Sequence, residues 1–116
     1  MDIEVARVGQ VTVVAPRGDL DLAVADQLKG RLTGLIAEGR TWVVLDLGAV
    51  GYMDSSGLGA LVASMKRARG AGGDIKLCAL QPDVRSIFEM TRLVKVVEVH
   101  RTRQEAVESW GQEPSR

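Results

Sequence analysis

Two adjacent hydroxyls and a carboxylate stand near the middle of this 116-residue chain, in the sequence Asp54-Ser55-Ser56. Glycines follow them at Gly57 and Gly59, and a mostly apolar run comes before them. A serine hydroxyl in this setting can cap a helix, act as a nucleophile, or accept a group that another protein attaches. The rest of the sequence has to separate these three roles.

Helix capping explains only part of this stretch. One N-cap side chain accepts hydrogen bonds from free amides of the first turn, which is worth about 1 kcal/mol. Because Asp54, Ser55 and Ser56 can each be that cap, at least one hydroxyl is left free to face solvent. Glycine inside a helix costs about 0.8 to 1 kcal/mol relative to alanine. We therefore expect Gly57 and Gly59 to let another backbone approach the first turn closely.

A catalytic serine is not supported by the neighbouring residues. A hydrolase nucleophile elbow has glycine two residues before and two residues after its serine, whereas Ser55 follows Met53 at that spacing and Ser56 follows Asp54. The single histidine, His100, has no second His or Cys at metal-ligand spacing. The glycines match neither a dinucleotide loop nor a nucleotide-binding loop. The sequence predicts no catalytic residue, no metal and no cofactor, so we do not expect an enzyme.

Composition and charge exclude several broad classes. The 15 basic and 15 acidic residues cancel, so no global field attracts the chain to nucleic acid or to an anionic membrane. The first residues lack the features of a signal peptide, and no apolar run approaches the roughly 18 residues of a membrane span. The single Cys78 sits in an apolar stretch and cannot form an internal disulfide. These features favour a cytoplasmic protein.

The hydrophobic pattern predicts an opening hairpin followed by alternating helices and strands. Apolar residues at three- and four-residue steps mark the first helix, beginning with Leu22. The predicted strands are 3–7, 11–15, 41–47, 74–80 and 94–99, and the predicted helices are 21–38, 58–70, 82–90 and 103–110. This order favours an α/β sandwich with a mainly parallel sheet of about five strands and four helices. It forms one domain, 1–110, followed by a flexible C-terminal tail, 111–116.

Two loops of this predicted fold leave the carboxyl ends of strands. In open α/β sheets such loops tend to carry function, and they lie at one edge of the sheet. The turns at 18–21 and 53–56 are therefore expected on one rim.

Other conspicuous side chains are interpreted as structural. The methionines Met53, Met65 and Met90 are expected in the core. The tryptophans Trp42 and Trp110 are expected to pack at the ends of elements and not to stack on a ligand.

The second helix has a basic exposed side. Lys66, Arg67 and Arg69 form this face, and we expect it to be solvated. Contact with a partner, or with a phosphate at another site, remains the alternative.

Together these residues resemble a known family. The chain is similar to the bacterial anti-sigma factor antagonists in four segments. These are residues 45–61 with their Asp-Ser-Ser-Gly-Leu-Gly motif, the basic and glycine residues at 66–73, and the segments 17–21 and 87–93. The fold of that family is called the STAS domain. The likeness covers almost the whole chain, and the serine motif is its specific part.

The resemblance implies a protein that switches partners. In that family the unphosphorylated antagonist binds an anti-sigma factor that is also a serine kinase, which releases a sigma factor for transcription. Phosphorylation of the serine after the aspartate, here Ser55, switches binding off, and a serine phosphatase reverses it. The balanced charge gives no reason to expect direct contact with nucleic acid or membrane, and because no wide unexplained apolar face demands a dimer, we expect a monomer when free. The implied partner-binding residues are Asp21, Asp54, Ser56, Gly57, Leu58 and Gly59.

A second hypothesis keeps the fold and changes the role. Some relatives are ligand-sensing or transport-complex subunits that hold a small molecule, lipid or nucleotide at the rim, and we expect those to lack the Asp-Ser-Ser sequence. Its presence here favours the switch.

Overall fold

Five strands form one sheet in which the spatial order follows the chain order, β1-β2-β3-β4-β5. The computed structural model describes residues 2–111. The strands are β1 (Ile3–Val8), β2 (Val11–Pro16), β3 (Trp42–Asp46), β4 (Asp74–Cys78) and β5 (Val99–His100). β1 and β2 are the antiparallel hairpin, and the remaining pairs are parallel. The predicted α/β class with a mainly parallel five-stranded sheet is confirmed.

Four helices connect and cover the strands. They are α1 (Leu22–Ala37), α2 (Ser55–Gly70), α3 (Pro82–Met90) and α4 (Arg103–Glu108). All four lie within or close to their predicted ranges. Proline at the first position of α3 fits a helix start, because that position has no intrahelical partner for an amide.

The core lies mainly on one face of the sheet. Since each parallel crossover advances to the next position in the sheet, helices α1, α2 and α3 pack on the same face. Their fully or nearly buried side chains include Leu28, Leu32, Leu61, Met65, Val84 and Phe88. The opposite face has a smaller cluster, formed by strand residues and by Ala106 of the short helix α4.

Two stacked tryptophans pack the end of the chain after α4 against the sheet. The rings of Trp42 and Trp110 stack with their centroids 4.9 Å apart and an angle of 12° between the planes. The Nζ atom of Lys76 lies 4.2 Å from the Trp110 ring centroid and donates to the Ser109 hydroxyl at 3.0 Å. The same ammonium lies 3.4 Å from Glu98. The predicted packing role of both tryptophans is confirmed.

The pKa values of Cys78 and Glu98, near the α4 side of the sheet, are shifted by their surroundings. Burial, and then the charge of Asp46, raise the pKa of the Cys78 thiol to about 12. Burial also works to raise the pKa of Glu98, but hydrogen bonds from His100 and Lys76 outweigh it and lower that pKa. His100 ends β5 and is half-buried, with its Nε2 atom 2.6 Å from Glu98.

The predicted strand at 94–99 is wrong for most of its length. Arg92 adopts a left-handed backbone with φ of +63°, and Leu93–Lys95 then form one turn of 3₁₀ helix. Only Val99 and His100 pair with β4. β-branched residues favour a strand mainly because they pack well on a half-buried pleated surface, not because they require an extended backbone. Here Val97 is buried although its segment is irregular, so no strand is needed to bury it.

The predicted burial of Met90 is also wrong, because its side chain is 80% exposed. The buried residues of α3 are Val84 and Phe88, four positions apart on one face. Met90 is two positions beyond Phe88, which places it on the opposite side of the helix. Met53 and Met65 are buried as predicted.

Within residues 2–111 no helix has both the length and the apolar character that a bilayer crossing requires. The proposed tail, 111–116, lies outside the described residues except for Gly111.

Candidate functional site

Two loops meet at the rim formed by the carboxyl ends of β2 and β3. The amide of Leu20 donates to the Tyr52 carbonyl at 2.9 Å, and the amide of Asp54 donates to the Leu20 carbonyl at 3.2 Å. These bonds form an isolated parallel bridge between Leu20 and Met53. They set the starts of α1 and α2 side by side, so the predicted single rim is confirmed.

Asp54 is the N-cap of α2. Its Oδ1 atom accepts from the amides of Ser56 at 2.9 Å and of Gly57 at 3.1 Å. Two of the free donors of the first turn are satisfied by this one carboxylate. Of the three candidate caps, the structure therefore selects the aspartate and leaves both hydroxyls without a capping role.

Ser55 is the first residue of α2 and is exposed. Ser56 beside it is half-buried. Ser64 on the same helix shows the contrast, since it is only 1% exposed and its hydroxyl donates to the Ala60 carbonyl at 2.9 Å. The Ser55 hydroxyl is thus open to an enzyme, and the capping of α2 does not depend on it.

Gly57 serves a contact inside the molecule, because the backbone that approaches it closely is that of Leu20. It is buried, and a Cβ atom built there would lie 2.5 Å from the Leu20 carbonyl oxygen and 3.0 Å from the Leu20 Cβ. Only glycine lets the segment before α1 pass this close to α2. As a predicted partner-binding residue, Gly57 offers little surface and instead fixes the position of its neighbours.

Gly59, unlike Gly57, has open space around it. It is exposed, and a Cβ atom there would meet nothing within 4 Å. Four residues after Ser55, it lies on the same side of α2. Leu58 is half-buried and packs against the main core. Open space for an approaching partner therefore exists at Gly59.

Two exposed apolar side chains lie at the same rim as the serine, and the sequence pattern did not indicate their exposure. Leu22, the first residue of α1, is 73% exposed, and Tyr52 is 51% exposed. The helical pattern placed Leu22 on the core face, but the 3.6-residue period puts it at the margin of that face. Its position directly after the cap Asp21 is the signal that could have indicated exposure.

The rim is acidic. Asp21 caps α1 with its Oδ1 atom 3.0 Å from the Ala23 amide and 3.3 Å from the Val24 amide. Asp54 caps α2, and Asp19 is exposed in the loop between β2 and α1. The rim therefore presents carboxylates, an exposed hydroxyl and two apolar side chains.

A separate polar cluster lies at the end of β3 on the α4 side. The Arg103 Nε atom donates to Asp46 at 2.8 Å, and its Nη2 atom lies 3.7 Å from Glu4. The Asp46 hydrogen bond raises the pKa of Arg103. Asp46 also accepts from the Gly48 amide at 2.9 Å, so this cluster fixes the start of the loop that leads to the serine.

The sequence and fold together define a family. Residues 2–106 match the STAS domain family, and the chain belongs to it. The chain is also 32% identical over 82 residues to the anti-sigma-B factor antagonist of Bacillus subtilis, which covers 71% of this chain and 74% of that protein.

Solved structures agree. An anti-sigma factor antagonist from Mycobacterium paratuberculosis superposes with a TM-score of 0.85 at 26% identity, covering 93% of this chain and 92% of that one. The Bacillus cell fate determinant SpoIIAA in its phosphorylated form has the same fold, with a TM-score of 0.75 at 22% identity over 94% of this chain and 99% of that one.

Proposed function

We propose that this protein is an anti-sigma factor antagonist controlled by phosphorylation of Ser55. The observation that supports it most is the exposed hydroxyl at the first position of α2, beside a cap that Asp54 already provides. The unphosphorylated rim binds an anti-sigma factor, and the sigma factor held by that anti-sigma factor is released. The chain catalyses no reaction and acts in the cytoplasm, as a substrate of a serine kinase and of a serine phosphatase.

The phosphoryl step is supplied by the partner and ATP. The Ser55 oxygen attacks the γ-phosphorus, an oxygen–phosphorus bond forms, and the bond to ADP breaks. The hydroxyl proton passes to a base of the kinase. The phosphatase then hydrolyses the ester with water, which restores the hydroxyl and yields inorganic phosphate.

The added phosphate changes the surface much more than the fold. It brings about 1.5 to 2 negative charges next to Asp54 and the neighbouring cap Asp21. The N-terminus of α2 tolerates this charge, because the helix dipole contributes roughly 0.3 to 1 kcal/mol in its favour. A partner that packs on the rim has to desolvate the phosphate among carboxylates, which is costly.

The remaining predicted contacts surround this point. Asp21, Asp54 and Ser56 supply polar groups, while Leu58 and Gly59 continue along the same end of α2. The exposed apolar side chains of Leu22 and Tyr52 add surface that a partner can bury, and buried aromatic side chains commonly anchor interfaces. This combination supports binding that tolerates a hydroxyl and rejects a phosphate.

The test compares a new negative charge at Ser55 with the same charge placed away from the rim. Ser55→Asp is expected to weaken binding of the cognate anti-sigma factor at least tenfold, measured by isothermal titration calorimetry, while the melting temperature stays within a few degrees. Gln10→Asp is the control, because it adds the same charge at an exposed turn between β1 and β2, at the opposite end of the sheet from the rim, and it should leave the affinity unchanged. Equal affinity for the Ser55 variant and the unchanged protein would refute the proposal.

Ser55→Ala separates binding from modification. It is expected to bind the anti-sigma factor and to take up no phosphate from the kinase with ATP, as followed by intact mass spectrometry. Phosphate incorporated at another residue of this variant would place the switch elsewhere.

A further inference from the structure

A second surface lies at the opposite end of α2 from the serine. There the last turns of α2 and the connection after α3 enclose a slot of about 300 Å³. Apolar side chains from both sides and two cations of α2 line it, chiefly Val62, Met65, Lys66, Arg69, Leu93 and Val96. The switch at the rim uses none of these residues.

The apolar part of this slot is open to solvent. Val96 is 55% exposed, and Leu93 and Val62 are half-buried. This exposure follows from the failure of the β-branched run to form a strand, because Val96 ends the 3₁₀ turn and does not pair with β4. A concave apolar slot of this size accommodates one or two bulky side chains.

The slot has a fixed shape. The Arg69 Nη2 atom donates to the Val96 carbonyl at 2.6 Å, and its Nε atom donates to Asp74 at 2.8 Å. One guanidinium thus ties the end of α2 both to β4 and to the connection after α3. Because its two walls are joined in this way, the slot exists before any partner arrives.

The surroundings of the slot are strongly basic, although the whole chain is neutral. Segments 62–73 and 91–97 contain no Asp or Glu. Their cations are Lys66, Arg67, Arg69, Arg92 and Lys95. The acidic residues next in sequence are Asp74, Glu89 and Glu98; Asp74 pairs with Arg69, and Glu98 pairs with Lys76 and His100. A local positive field therefore surrounds an apolar slot.

We propose that this slot docks an acidic peptide segment that carries a bulky apolar side chain. The apolar side chain fills the space between Val62 and Val96, and flanking carboxylates face Lys66 and the neighbouring cations. Opposite charges across an interface raise the association rate and select the partner. A lipid would have to leave the plane of the bilayer to fill this slot, whereas a side chain of a peptide enters it directly, so a peptide fits better than a membrane.

This docking is independent of the switch. Ser55 and Lys66 are eleven residues apart on α2, which corresponds to about 16 Å along the helix axis at 1.5 Å per residue. The screening length at physiological salt is about 8 Å. A phosphate at Ser55 therefore leaves the slot almost unaffected, and a partner can remain docked there in both states of the rim.

The test uses a defined probe, a ten-residue peptide of Glu and Ser with a central Leu-Phe pair. Titrated into the full-length ¹⁵N-labelled protein, it is expected to shift amide resonances of residues 62–69 and 93–97. Lys66→Glu should weaken the affinity at least fivefold, whereas Lys29→Glu, an exposed cation on α1, should change it less than twofold. Equal loss in both variants, or no shift at the slot with millimolar peptide, would overturn the proposal.

Four further measurements separate the alternatives. Val96→Asp should abolish the shifts, and Ser55→Asp should preserve them. A peptide with Lys in place of Glu should not bind. The protein should not sediment with phosphatidylserine vesicles. If it does, if Lys66→Glu abolishes this sedimentation, and if the peptide causes no amide shifts, the slot is a membrane contact and the proposal is overturned. Circular dichroism and melting temperature check that each variant is folded.

Discussion

The two helix starts at the rim have nearly the same backbone and differ in the side chains they present. Asp21 caps α1 with φ −103° and ψ −174°, and Asp54 caps α2 with φ −104° and ψ −173°. Each carboxylate accepts from the second and third amides of its helix. The first position of the helix is Leu22 in α1 and Ser55 in α2, and both are exposed.

The comparison shows that the serine is not needed to start the helix. Since α1 starts equally well with a leucine, the hydroxyl at the start of α2 is not required for capping or for the bridge between the loops. The third positions differ for another reason, because Val24 stands where α2 has Gly57. The glycine is required by the Leu20 backbone that passes across α2, whereas the Val24 side chain packs against the core.

The largest effect on stability is expected at the third position of α2. Gly57→Ala places a methyl group 2.5 Å from the Leu20 carbonyl oxygen, which should lower the free energy of unfolding by about 1 to 3 kcal/mol through overpacking. Gly59→Ala is the control, because its Cβ meets open space and helix propensity should raise stability by up to about 1 kcal/mol. Urea denaturation measures both. Similar effects at the two glycines would contradict the close approach.

Removing either cap should lower the stability of the protein by nearly the same amount, but the two losses should affect phosphorylation differently. Asp21→Ala and Asp54→Ala should each lower the free energy of unfolding by about 1 kcal/mol, because each removes a capping carboxylate with the same geometry. Phosphorylation by the kinase should fall more for Asp54→Ala, which stands next to Ser55. A stability loss at only one site would show that the two starts are not equivalent.

The smallest effect on stability is expected from a new carboxylate at the first position of either helix. Leu22→Asp and Ser55→Asp each add negative charge near an N-terminus, and both positions are exposed, so unfolding free energies should change by no more than about 1 kcal/mol. Thermal melts of both variants check this. A severe loss for Ser55→Asp alone would mean that the hydroxyl supports the fold.

Local sequence predicted most helices and strands and the position of the rim. It did not predict features that depend on contacts between residues far apart in the chain, such as which residue caps α2. Asp54, Ser55 and Ser56 all favour an N-cap, and the bridge between Leu20 and Met53 decides among them. That bridge joins residues 33 positions apart, so no short window of sequence contains it.

The wrong predictions have the same cause. Local propensity favoured a strand at 94–99, but packing of the connection against α2 and the left-handed Arg92 gave a 3₁₀ turn. For Gly57, the sequence indicated that a backbone comes close, but only the fold shows that it belongs to Leu20. The exposure of Leu22 likewise depends on which flank of α1 the sheet covers.

The most direct measurement is the affinity of the enzymatically phosphorylated protein for its anti-sigma factor. Kinase and ATP should place one phosphate on Ser55, located by peptide mass spectrometry, and the Kd measured by calorimetry should rise at least tenfold, which corresponds to about 1.4 kcal/mol. The unfolding free energy should change by less than about 1 kcal/mol, and phosphatase should restore the original Kd. An unchanged Kd with Ser55 fully phosphorylated, or an affinity lost only because the domain unfolds, would contradict the account.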